Sequence, residues 1–169
     1  MIRFLYPDIY EFSVFDIQYN NLKICGLVNI LFDIDNTIAP VNVPTPGIGL
    51  VFLFSKLKDM GFNICILSNG GEKRVSVFAK ALGVPYVAKA GKPFPSGVNR
   101  ALIMLSATRR DSVIIGDQLF TDVLCGKINR ICTVLVKPIS EKEEWFVKLK
   151  RVLEKPVLAG YLKKHGGAK

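Results

Sequence analysis

The residues with the clearest chemical potential are Asp33-Ile34-Asp35-Asn36-Thr37, which directly follow the apolar run Leu27–Phe32. In a continuing strand, carboxylates at i and i+2 point to the same face. Two close carboxylates repel each other unless a cation neutralises them. A hard divalent ion with oxygen ligands meets that need, and Mg²⁺ suits it. The same residues could also form an ordinary Asp-Asn turn capping the next segment.

Three further apolar runs end in polar clusters of the same kind. Ser112-Val-Ile-Ile-Gly116-Asp117 closes on a glycine and an acid, and Asp122 follows at the start of a helical pattern, where it could also serve as an N-cap. Ser68-Asn69-Gly70-Gly71 offers a hydroxyl, an amide and two glycines, whose backbone N–H groups could approach an anion closely. Read as plain structure, it is a loop leading into a helix. In Lys89-Ala-Gly-Lys92-Pro93 either lysine could neutralise a phosphate, or both could be surface cations.

The elements that would position these residues are five short buried strands at 27–32, 62–67, 86–88, 112–115 and 131–136. Each is rich in Val, Ile, Leu or Phe and lacks the alternation of a half-exposed strand. Helical patterns lie between them at 47–60, 72–82, 95–106 and 120–129. This alternation predicts a doubly wound α/β sheet with right-handed crossovers. Ligands of such sheets bind at the carboxyl edge, where strand order reverses. Residues 1–26 have no clean period and are expected to pack as a short helix and loops. A helix is expected at 141–153, with Trp145, Leu149 and Val152 on one face, Phe146 and Leu153 beside it, and Lys148, Lys150 and Arg151 opposite. The residues through Gly166-Gly167 should fray.

At 169 residues the chain suits one domain, with a core at about 27–137, an extension at 1–26, and an amphipathic helix and basic tail at 138–169. Its longest uncharged stretch, 36–55, contains Pro40, Pro44 and Pro46, which argues against a membrane span. Acidic residues at 8, 11 and 16 interrupt any signal-peptide core. Cys25, Cys65, Cys125 and Cys132 form no CxxC pair, and His165 is the only histidine, so zinc is not expected and a reducing, cytoplasmic setting is. The net charge of +9 favours a polyanionic partner or a merely solubilising surface. No RNA-binding motif accompanies it, which leaves nucleic acid the weakest partner class.

In chain order an Asp-x-Asp, a Ser-Asn, a Lys-Pro and a Gly-Asp-x-x-x-x-Asp follow successive strands across about 28–137. This resembles the haloacid dehalogenase (HAD) superfamily of phosphatases and phosphotransferases. The stretch Phe4-Leu-Tyr-Pro-Asp8, the block 89–93 and the run 116–123 look like its small YqeG-type branch, in subfamily IIIA. That branch is similar to the phosphatidylglycerophosphate phosphatases of mitochondria and plastids.

The resemblance implies a three-layer Rossmann-like fold, with a mainly parallel five-stranded sheet and no cap domain. It implies that Asp33 is the nucleophile, forming an aspartyl-phosphate, and that Asp35 is the acid/base. Mg²⁺ would be held by the Asp33 side chain, the Asp35 carbonyl and Asp117. Ser68 and Lys92 would hold the phosphoryl oxygens, with the Asn69 backbone helping and Lys89 as the alternative lysine. Asp122 and Thr37 would support the site. The gaps after Thr37 and after Gly71 are too short for a cap, so an open site and a large substrate are expected. The implied substrate is phosphatidylglycerophosphate, met at the inner face of an anionic membrane. The alternatives are a soluble phosphoester or a phosphoprotein.

Overall fold

A computed structural model describes residues 2–140 and 145–165. Six strands form a single parallel sheet: β1 (Ile9–Glu11), β2 (Asn29–Phe32), β3 (Asn63–Leu67), β4 (Tyr86–Val87), β5 (Ser112–Gly116) and β6 (Cys132–Val136). Their order is β1-β6-β5-β2-β3-β4. The helices are α1 (Tyr19–Ile24), α2 (Ile48–Asp59), α3 (Glu72–Leu82), α4 (Pro95–Leu105), α5 (Leu124–Asn129) and α6 (Trp145–His165). The chain builds outward from β2 to β3 and β4, then returns to place β5 on the other side of β2. The switch point therefore lies between β2 and β5, where Phe32 pairs with Ile115.

The apolar runs read as strands because both sheet faces are covered. On one face Ile30, Phe32, Ile66 and Ile115 pack with Leu50, Phe54 and Leu57 of α2 and with Val75 and Phe78 of α3. On the other, Leu31, Cys65, Leu67 and Ile114 pack with Val98, Ala101 and Leu102 of α4 and with Cys125 of α5. A third cluster joins Leu119, Val123 and Leu135 to Val157 of α6. Among the described residues there is no cap domain: residues 33–47 form a loop, and residues 68–92 hold only α3, β4 and their connections.

The sheet has six strands, not the expected five. β1 arises in the segment expected to hold only a short helix and loops, and it pairs with β6 at the sheet edge. Its three residues are half-buried, so they carry no continuous apolar signal. The expected helix at 120–129 is a π-helical turn, Leu119–Val123, followed by α5.

At the C-terminus α6 continues to His165, past the expected end at residue 153 and through Pro156. A proline removes one helical hydrogen bond. Burial of Val157 and Tyr161, with the Tyr161 ring edge-on to Tyr6 at 5.6 Å, offsets that loss. Val152 and Leu153 are exposed. Residues 141–144, the side chains of Trp145, Phe146 and Leu149, and the expected fraying beyond 165 lie outside the described residues.

Candidate active site

Because every strand is parallel, the residues following β2, β3, β4 and β5 meet at one edge of the sheet. Asp33 extends the β2 ladder by donating its backbone N–H to the Ile115 carbonyl at 2.9 Å. The chain then turns through Asn36, whose φ of 61° lies in the left-handed region that Asn tolerates. The turn brings Thr37 back beneath the site, fully buried. Its hydroxyl lies 3.3 Å from Asp33 Oδ2 and 3.2 Å from Asp117 Oδ1, with one proton to give.

Lys92 stands at the centre. Its buried ammonium donates to Asp33 Oδ1 at 2.8 Å and to Asp122 Oδ1 at 2.6 Å. Burial by itself would lower the ammonium's pKa, but Asp122 and Asp33 more than reverse this and hold it above its ordinary value. Burial pushes the Asp33 carboxyl up to about 6, against the pull of Lys92 and with Asp122 adding to the rise. Lys89, the alternative lysine, is exposed.

The Asn69 side chain holds the backbone of Lys92. Its oxygen accepts from the Lys92 backbone N–H at 2.8 Å, and its amide donates to the Lys92 carbonyl at 3.1 Å. This two-point clasp fixes the backbone from which the lysine reaches inward. Ser68 is buried beside it, and its hydroxyl accepts from the Gly70 N–H at 3.0 Å.

Asp117 precedes the π-helical turn and Asp122 lies within it. Single π turns inside helices recur at functional sites because they re-aim side chains. Here the turn folds Asp122 back over its own start, so that Oδ2 accepts from the Gln118 N–H at 3.1 Å while Oδ1 holds Lys92. A side chain at Gly116 would overlap the Asp122 carboxyl group, which explains the glycine at the end of β5.

Carboxylate oxygens of Asp33, Asp117 and Asp122 all lie within 4.8 Å of one another, and all three residues are buried. Three acids around one ammonium leave the cluster formally short of positive charge. That all-oxygen, acid-rich donor set fits a hard divalent cation. Asp122, expected to support the site, pairs with Lys92 and has its carboxylate in this cluster. The Asp35 carboxylate lies outside it. Its Oδ1 accepts from Arg74 Nε at 2.8 Å, and Oδ2 faces the Ser68–Gly70 cradle, 3.5 Å from where a Gly70 side chain would begin.

Arg74 escaped the sequence reading. From the first turn of α3 it also donates to the carbonyls of Val43 and Pro40, tying down the loop after β2, and it lies 5.0 Å over the Phe78 ring. An arginine in a helical pattern carries no mark of such a role. Its position three residues past the Gly70-Gly71 pair was the only available signal.

A family model described as HAD-hydrolase-like matches residues 89–151. The chain is 34% identical to the probable phosphatase YqeG of Bacillus subtilis, over 96% of this chain and 94% of that protein. It is 26% identical to phosphatidylglycerophosphate phosphatase 1, chloroplastic/mitochondrial, of Arabidopsis thaliana, over 96% of this chain and 49% of the plant protein. The fold matches the cobalt-bound deoxy-D-mannose-octulosonate 8-phosphate phosphatase of Haemophilus influenzae with a TM-score of 0.52 at 13% identity, covering 79% of this chain and 90% of that one. With parallel strands gathering Asp33, Lys92, Asp117 and Asp122 at one edge, and a near full-length relative at this identity, the chain belongs to the haloacid dehalogenase-like family, in the branch of the Bacillus YqeG phosphatase.

Proposed function

We propose that this chain is a Mg²⁺-dependent phosphomonoesterase that works through an aspartyl-phosphate on Asp33. The observation that carries the reading is the buried cluster of Asp33, Asp117 and Asp122 around Lys92 at the switch point of the sheet. Asp33, the Asp35 carbonyl and Asp117 would hold the Mg²⁺, which would supply positive charge to the acidic cluster and polarise the phosphoryl group.

Asp33 attacks phosphorus, and a new O–P bond forms as the bond to the leaving alkoxide breaks. A carboxylate needs no prior deprotonation for this step. Asp35 gives its proton to the alkoxide, then takes one from the water that hydrolyses the acyl-phosphate. Asp33 is thereby restored and phosphate released. Lys92 and the Ser68 cradle hold the phosphoryl oxygens, and Asn69 supports them through the Lys92 backbone. Such sites act mainly by positioning and charge neutralisation. Arg74 keeps Asp35 and the loop after β2 in place.

The substrate favoured is phosphatidylglycerophosphate. Its support is the likeness to the plant enzyme, an uncapped site open to a large molecule, and a net charge of +9 suited to an anionic bilayer. The protein would work in the cytoplasm, peripherally on the inner face of the membrane. Phosphate release from this lipid in mixed micelles, with Mg²⁺, tests the reading, with Asp33→Asn as the control. Turnover of soluble phosphoesters without lipid turnover would replace the substrate, and undiminished activity of Asp33→Asn would remove the mechanism.

A further inference from the structure

We propose that Glu154, on the C-terminal helix α6, is a positioning residue for the acidic centre. Glu154 is only 5% exposed, and none of the proposed chemical steps uses it. Its Oε1 accepts from the backbone N–H of Phe120 at 3.2 Å. Phe120 lies in the π-helical turn between Asp117 and Asp122. N–H groups in a first helical turn lack acceptors within the helix, and a carboxylate there also meets the positive end of the helix dipole.

The turn is therefore held from two sides. Asp122 caps it from within, through Gln118. Glu154 caps it from without, from a helix more than thirty residues further along the chain. Glu154 and Asp117 also share the wall of a cavity of about 150 Å³, together with Leu119, Leu135 and Leu158. Space on that side gives the turn room to shift when the hydrogen bond is lost. A shift would draw Asp122 away from Lys92 and Asp117 away from the carboxylate cluster. Displacements of about 1 Å in such sites cost on the order of a hundredfold in rate. Docking of α6 is in this way a condition for a competent metal site.

The inference rests on the metal-dependent reading of the site, and its test separates the two. Mg²⁺ binding to the full chain is measured by calorimetry for wild type, Glu154→Leu and Glu154→Gln, alongside turnover of p-nitrophenyl phosphate. Glu154→Leu should weaken Mg²⁺ binding by about tenfold or more and lower kcat with little change in KM. Glu154→Gln, whose amide oxygen accepts the same N–H, should stay within about threefold of wild type. Wild-type Mg²⁺ affinity in Glu154→Leu, even with a lowered Tm, overturns the proposal, as does equal impairment in Glu154→Gln. If Glu154→Leu does not fold, Glu154→Asp takes its place. Its shorter reach should give an intermediate loss, and unaltered Mg²⁺ binding would overturn the proposal. A wild-type protein that binds no Mg²⁺ would instead defeat the reading of the site itself.

Discussion

Lys92 is surrounded by more negative charge than it can neutralise, and the excess falls on Asp33. Burial raises the Asp33 carboxyl from 3.8 to about 6 in the folded chain. An acid whose folded pKa exceeds its unfolded value is reluctant to ionise in the native state, so it lowers stability once the unfolded chain has ionised. The cost begins to accrue near the unfolded value of 3.8 and is complete above about 6. Asparagine at this position cannot ionise, and it leaves Lys92 its shorter contact with Asp122. In metal-free buffer, Asp33→Asn should therefore gain on wild type by about 1–2 kcal/mol between roughly pH 4.5 and pH 7.5. Urea denaturation at the two pH values, with a chelator present, measures the change, and a gap that does not move with pH would refute it. On the proposed metal-dependent reading, the buried Asp33 carboxyl costs the fold stability that a bound cation would return. Much of this was legible at the sequence level, because acids at strand ends are conspicuous against apolar runs. The partners that orient them were not. Arg74, Glu154 and the second role of Asn69 depend on tertiary proximity, which leaves no trace in residue spacing.

Element by element, what could be read in advance depended on burial. β2, β3, β5 and β6 are covered on both faces, so each shows as a continuous apolar run within a residue or two of its bounds. β1 does not. Besides its pairing with β6, it is anchored by Asp8, which immediately precedes it. Asp8 Oδ1 accepts from Lys127 Nζ at 2.6 Å, and Oδ2 accepts from the Thr133 backbone N–H and hydroxyl, both at 2.8 Å. The acid thus fastens the edge strand to β6 and α5. Partial burial alone would raise its pKa, but the bonds from Lys127 and Thr133 outweigh this and hold it below 3.8. A lowered carboxyl contributes stability above its unfolded value and loses it as pH falls through the folded one. Asp8→Ala should cost about 1–2 kcal/mol near neutral pH, a modest sum because the side chain is partly exposed. The corresponding fall in Tm is about 2–6 °C. Thermal melts of both proteins should converge as pH is lowered from about 5 towards about 2.5. A gap that persists in acid would point to packing, not to the carboxylate.

Taken as a whole, the molecule joins a buried acidic cluster to a strongly basic chain. Asp33, Asp117 and Asp122 bring their carboxylates together at the sheet edge, while the chain carries +9 overall. Among the described residues no helix is long and apolar enough to cross a membrane. On the proposed lipid-phosphate reading, charge is the means the composition supplies for reaching an anionic surface. Electrostatic adsorption has a recognisable signature. The Debye length shrinks from about 10 Å at 0.1 M salt to about 3 Å at 1 M, so exposed charges lose their hold on a surface across that range. Basic groups contribute on the order of 1 kcal/mol each near an anionic bilayer. In co-sedimentation with phosphatidylglycerol vesicles, binding at about 0.05 M salt should fall at least tenfold by about 0.5 M, and neutral phosphatidylcholine vesicles should retain little protein at either salt. Binding that ignores salt, or that is equal on neutral vesicles, would mean that apolar insertion holds the protein to the surface. In that event the exposed Val152 and Leu153 of α6 become the first residues to replace.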